Sequence, residues 1–180
     1  VIWIDAHGDF NSDKSTPSGN MHGMPLSAVC GCGPETMVSF SKARVNPRHV
    51  AQVGARDLDA AERARLRENG VSGFSISDID KLGMAEVMRR AMAVAGEGTK
   101  GIHLSFDVDA ITPEAAPGVG TPVHSGLTVR EAFLAAEMLA ESGRVVSLDM
   151  VEVNPMLDAF NKTGALACEL ILSVLGKTVY

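Results

Sequence analysis

The sequence predicts an α/β fold, a three-layer sandwich built on a mainly parallel β-sheet. Three observations lead to it. Short β-rich runs alternate with helical patterns along the whole chain. Most of these runs are apolar on consecutive residues, as strands covered on both faces should be. The longest irregular stretches, residues 8–25 and 109–127, each follow a predicted strand. Loops leaving the C-terminal ends of parallel strands are where such folds place their sites.

Strands are predicted over residues 1–5, 49–54, 73–76, 101–107 and 144–153. The helix predicted over 59–69 has Asp59 to cap it, Glu62 in its first turn and Gly70 beyond its end. A second helix runs from 77 or 78 to 95 and stops at Gly96 and Gly98. The third, over 128–142, begins with Thr128 and has Glu131 three residues on, a capping box. A fourth covers 162–175. Met84, Met88 and Met92 recur at helical spacing and read as core packing. With no internal repeat, low-complexity tract or linker, residues 1–180 read as one domain.

Composition narrows the function. A chain of 180 residues with 46% hydrophobic content is long enough to bury a sizeable core. The formal charge of -6 and the lack of a basic stripe argue against a nucleic-acid surface. No apolar run approaches the roughly eighteen residues of a membrane span. The chain starts on Val1, inside an apolar run, so a fragment lacking an N-terminal portion is expected. Cys30, Cys32 and Cys168 form neither a CxxC pair nor an even framework and read as plain thiols in a reducing cytoplasm.

The chemistry lies at two strand ends. Asp5-Ala6-His7-Gly8-Asp9 closes the first predicted strand, and Asp107-Val108-Asp109 closes the fourth. Residues two apart in an extended chain point the same way, so Asp5, His7 and Asp9 can converge. If the two strands are close in the sheet, Asp107 and Asp109 join them. Four carboxylates and one imidazole suit a hard or borderline divalent ion such as Mn²⁺, and without a cation they would repel. Either Asp-x-Asp alone is as readily a helix cap or a turn, and His7 alone a strand-end histidine. The pairing of the two clusters favours a metal site.

These two motifs resemble signatures of the ureohydrolase family, which includes the arginases and agmatinases. Gly118-Val119-Gly120-Thr121-Pro122 followed by Gly126-Leu127-Thr128 continues the second signature. Ser18-Gly19-Asn20-Met21-His22-Gly23 and Val151-Glu152-Val153-Asn154-Pro155 resemble the arginase forms of their segments. The resemblance spans nearly the whole chain. It implies an arginase-like catalytic domain, truncated at its N-terminus, that converts L-arginine to L-ornithine and urea through a hydroxide bridging two Mn²⁺. It further implies that Asp5, His7, Asp9, Asp107 and Asp109 are metal ligands. Asp5 and Asp107 would bridge the ions, His7 and Asp109 would complete one site, and Asp9 would serve the other. Asp9 would also pass a proton to the leaving amine, His22 would shuttle protons and Glu152 would hold the guanidinium. Asn11, Thr16 and Ser18 would contact the α-carboxylate. Asp59 and Glu62 would lie near the α-amino group, and Thr121 would line the site.

The family normally supplies a sixth ligand, a His in a Gly-Gly-Asp-His motif upstream of the position of Val1. The chain as given is therefore expected to bind one Mn²⁺ better than two, to have little activity, and to expose apolar sheet surface. By resemblance, a cytoplasmic homo-oligomer, trimer or hexamer, is expected. The alternatives are an agmatinase or guanidino-acid hydrolase, or a metal-binding but catalytically silent domain. His49 and His103 read as structural, and His124 could edge the pocket. Thr112, where the family usually has Asp before Pro113, is a small departure.

Overall fold

The computed structural model describes residues 1–178. Its five strands are β1 (Ile2–Ile4), β2 (Ala51–Ala55), β3 (Ser72–Ser75), β4 (Ile102–Asp107) and β5 (Val145–Val151). They form one sheet in the order β3-β2-β1-β4-β5, and every pairing is parallel. The helices are α1 (Pro25–Val29), α2 (Glu35–Val38), α3 (Ala60–Asn69), α4 (Ile76–Leu82), α5 (Met84–Gly96), α6 (Val129–Ser142) and α7 (Lys162–Val174).

Alternation along the strands sorts the two faces of the sheet. Ile2 and Ile4 of β1, Val53 of β2 and Leu104 and Phe106 of β4 pack with Met88 of α5, Leu139 of α6 and Leu170 of α7 in the larger core. Trp3 and Val50 point the other way and pack with Phe10, Leu26 of α1 and Leu66 of α3. The layers are thus helices, sheet, helices. Val146 of the edge strand β5 is 72% exposed. Among the described residues no helix is long and apolar enough to cross a membrane.

Several local features match the sequence. Asp59 accepts from the Glu62 amide at the start of α3, and Gly70 closes that helix at φ +79°. Thr128 and Glu131 form the capping box of α6. The helix expected over 77–95 is instead two helices. It starts at Ile76, capped by Ser75 and Asp78, and breaks at Gly83, whose φ of +80° lies in the left-handed region that glycine tolerates. Two short helices, α1 and α2, also occupy chain expected to be irregular or left unassigned. β5 ends at Val151, two residues before the expected limit.

β1 lies between β2 and β4, with Ile4 opposite Phe106. The C-terminal ends of β1 and β4 therefore open side by side, and the residues following each strand share one rim.

Candidate active site

The rim carries both acidic motifs. Asp5 follows β1, Asp107 ends β4, and Asp109 sits on the 3-10 turn Val108–Ala110. Asp5, His7 and Asp109 each offer a donor atom within 4.8 Å of the others. His7 Nδ1 lies 3.0 Å from Asp109 Oδ2 and 3.4 Å from Asp5 Oδ1. Backbone amides fix the carboxylates: Ala6 N donates to Asp109, His7 N to Asp5, and Asp109 N to Asp107. Asp9 and Asp107 fall outside that tight trio but line the same cavity of about 720 Å³.

Electrostatics tests whether this donor set suits a cation. Burial, with the charges of Asp5 and Asp109, pushes the Asp107 carboxyl up to about 9. Burial and the neighbouring Asp5 and Asp107 push Asp9 well above its ordinary value. Asp5 is also raised, by burial first and by Asp109 next, although His7 pulls the other way. For Asp109 burial works upward, but hydrogen bonding and charge from His7 hold the carboxyl below the usual range. Burial works against charge on His7, yet its bonds to Asp109 and Asp5 push the imidazole up to about 11. Acids that resist joint ionisation, with no thiolate among them, fit a hard or borderline divalent cation.

Asp9 and Glu152 both adopt positive φ, 53° and 63°, which non-glycine residues rarely do. Asp9 is held there from both sides. Its carbonyl accepts from Ser27 N, and the next amide, Phe10 N, donates to buried Glu62 at 2.9 Å. Gln52 of β2 donates to the carbonyls of His7 and Gly8. Glu152 follows β5 on the far wall, with Oε2 facing Gly120.

His22 lies on the 3-10 turn Met21–Gly23, and Thr16 and Ser18 on the loop before it; all three line the cavity. Thr16 and Ser18 bond each other and the amides of Gly19 and Asn20, a self-contained turn. Asn11 Nδ2 donates to Asp59 at 2.8 Å, tying that loop to the cap of α3. Thr121 Oγ1 donates to Asp109 Oδ2 at 3.3 Å. Asp59 and Thr121 line the cavity, as does Glu62, which is only 4% exposed and lies beneath residues 8–10. Burial raises the Glu62 carboxyl to about 7, against the pull of the Phe10 amide.

The structure adds participants that the sequence reading missed. Trp3 Nε1 donates to Asp5 Oδ2 at 2.9 Å. The signal was present, since Trp3 is two residues before Asp5 on a strand and shares its face. His103, read from the sequence as structural, lines the cavity and contacts Ser147 and Asp149 across β4 and β5. Arg56 binds main-chain carbonyls behind the site, which no side-chain pattern announces. His124 reaches the exposed Glu114, away from the cavity lining.

Comparison with known proteins shows the chain's family and fold. The arginase family profile matches residues 1–176. The chain is 47% identical to the arginase of Bacillus caldovelox over 98% of its own length and 60% of that protein. It is 46% identical to the Bacillus subtilis (strain 168) arginase, again covering 98% of itself and 60% of the relative. The chain thus spans about three-fifths of the length of these relatives. The solved structure of the Bacillus caldovelox arginase superposes with a TM-score of 0.96 at 45% identity, over 99% of this chain and 60% of that one. The Entamoeba histolytica arginase solved with L-ornithine gives 0.91 at 34% identity, over 98% and 59%. The chain belongs to the arginase family.

Proposed function

We propose that this chain is the catalytic domain, residues 1–180, of a manganese-dependent arginase that hydrolyses L-arginine to L-ornithine and urea. One observation carries the reading: carboxylates from two strand ends 103 positions apart meet an imidazole in one cavity, which the exposed acid Glu152 also lines. Asp5, His7, Asp9, Asp107 and Asp109 would hold two Mn²⁺. When bound, such a pair supplies Lewis acidity that lowers the pKa of water toward neutrality.

The remaining work falls to side chains. Glu152 pairs with the guanidinium through charge-assisted hydrogen bonds and sets its orientation. Asp9 takes up a proton at its carboxylate and returns it to the leaving amine. His22, exposed at the cavity mouth, relays protons to bulk water. Asn11, Thr16 and Ser18 meet the α-carboxylate, while Asp59 and Glu62 lie near the α-amino group and Thr121 lines the site. A carboxylate-binding loop favours arginine over agmatine, which has no carboxylate. The Bacillus relatives and the Entamoeba histolytica structure with L-ornithine support the same substrate class. The proposal also takes the working protein to be a cytoplasmic homo-oligomer, a trimer or hexamer.

The test combines manganese titration by electron paramagnetic resonance with urea release from L-arginine, agmatine and 4-guanidinobutyrate. The chain should take up Mn²⁺, one ion more tightly than the second, with weak turnover confined to arginine. A protein of the relatives' full length should turn arginine over strongly. Urea from agmatine in preference to arginine, or manganese uptake unaffected by Asp5→Asn with Asp109→Asn, would refute the reading.

A further inference from the structure

Arg56 follows β2 and contributes no atom to the group Asp5, His7 and Asp109. Its guanidinium nonetheless sits behind that group. Nη2 donates to the carbonyls of Asp109 and Val123, each at 2.7 Å. Nη1 donates to Ala110 at 3.1 Å and reaches Gly54 at 3.5 Å, and Nε donates to His124 at 3.0 Å. A guanidinium has five N–H donors in one plane, and here each meets a main-chain oxygen. The backbone of the same residue adds a further tie, because Arg56 N and Asp57 N both donate to Ala6 O, between Asp5 and His7.

The side chain thereby joins the turn carrying Asp109 to the loop following Thr121, and the backbone at Arg56 and Asp57 ties both to the β1 exit at Ala6. The turn and the loop meet again where Thr121 donates to Asp109 Oδ2. Gly126 belongs to the same device, since a Cβ there would lie 2.6 Å from Arg56 Nη2 and 2.6 Å from Ala110 O. We propose that Arg56 is a positioning residue that sets where Asp109 and Thr121 stand relative to Asp5 and His7, and so governs cation affinity. Lysine cannot replace it, because three donors on one tetrahedral nitrogen cannot reach five oxygens spread around a plane.

The proposal rests on the metal-centre reading, so its test has one arm with metal and one without. Arg65 provides the control. It also ties distant main-chain oxygens, donating to Phe10 and Cys32, but it touches neither Asp109 nor the 121–126 loop. Arg56→Ala should weaken Mn²⁺ binding, read by electron paramagnetic resonance, by roughly tenfold or more, a typical loss when a group that orients a ligand is removed. Arg56→Lys should fall between that variant and the parent, and Arg65→Ala should stay close to the parent. In metal-free protein, amide hydrogen exchange at residues 109–112 and 121–127 should speed up in Arg56→Ala and Arg56→Lys but not in Arg65→Ala.

If both arginine variants weaken Mn²⁺ equally, or exchange near Asp109 is unchanged in both Arg56 variants, the positioning role is wrong. A parent chain that takes up no Mn²⁺ refutes the metal-centre reading instead, and the exchange arm then decides the clamp alone. Should Arg56→Ala fail to fold, Arg56→Lys carries both arms.

Discussion

The indole nitrogen of Trp3 donates to Asp5 Oδ2 at 2.9 Å, while the amide of His7 holds the other oxygen of the same carboxylate at 2.7 Å. Trp3 is the one tryptophan of the chain. Its fluorescence should therefore report events at Asp5. Adding Mn²⁺ should quench the emission saturably, and Asp5→Asn should abolish the quench. Trp3→Phe keeps the packing but removes the donor, so Mn²⁺ affinity should drop by about tenfold. An unchanged affinity would show that the bond does not orient Asp5.

Gly8 sits against Glu62. A Cβ at Gly8 would lie 2.3 Å from Glu62 Cδ, and the Glu62 side chain is anchored to the Phe10 amide. Gly8→Ala should cost about 1–3 kcal/mol by overpacking. Shortening the opposing side chain removes the clash, so Gly8→Ala should cost less in a Glu62→Ala background. Urea denaturation of the four proteins of this double-mutant cycle checks it, and additive losses would argue against the contact.

Glu62 should also shape the pH dependence of stability. Its folded value of about 7 lies above the ordinary 4.5, because burial penalises the charged form. Between those two values the folded chain binds more protons at this group than the unfolded chain does. Stability from this group is then fully present below about pH 4.5 and is lost as pH rises through 7. Glu62→Gln removes the ionisation while keeping an acceptor for Phe10. It should raise the midpoint of thermal unfolding at pH 8 by several degrees relative to its effect at pH 5. Equal shifts at both pH values would contradict the assignment.

The thiols should separate by reactivity. Cys30 is buried, and that burial, with Cys32 beside it, pushes its thiol up to about 12. Cys168 on α7 is exposed. Since the thiolate is the nucleophile, iodoacetamide at pH 8 should modify Cys168 first and leave Cys30 intact until the chain unfolds. Peptide mass spectrometry of timed samples would reveal early labelling of Cys30 if its surroundings were looser than this.

Much of the fold was legible because the strands are short and most are apolar, and because the helices α3, α4 and α6 that follow β2, β3 and β4 carry side-chain caps. Asp59, Thr128 and Glu131 announce helix starts through side-chain chemistry alone. Gly83 was harder. A glycine inside a helical pattern usually costs a little stability without ending the helix, and only its left-handed conformation separates α4 from α5. Pro25 and Pro34 at the starts of α1 and α2 were usable signals in stretches where glycines and polar residues pointed to a loop. At the site, Asp5, His7, Asp107 and Asp109 were visible from spacing, and the parallel pairing of β1 with β4 brings them together. The main-chain acceptors of Arg56 carry no residue code, so its network could only be seen in three dimensions.

The pairing of β1 with β4 also has a kinetic meaning. Ala6 N reaches Asp109 across 103 positions of sequence, so no early hairpin or isolated helix can assemble the acidic pocket. Contacts of such sequence separation slow folding, because closing the loop costs entropy before the contact can form. Ligand capture then rewards only the finished topology, and a cation bound there would act as a proofreader of folding, raising the stability of the whole chain by mass action.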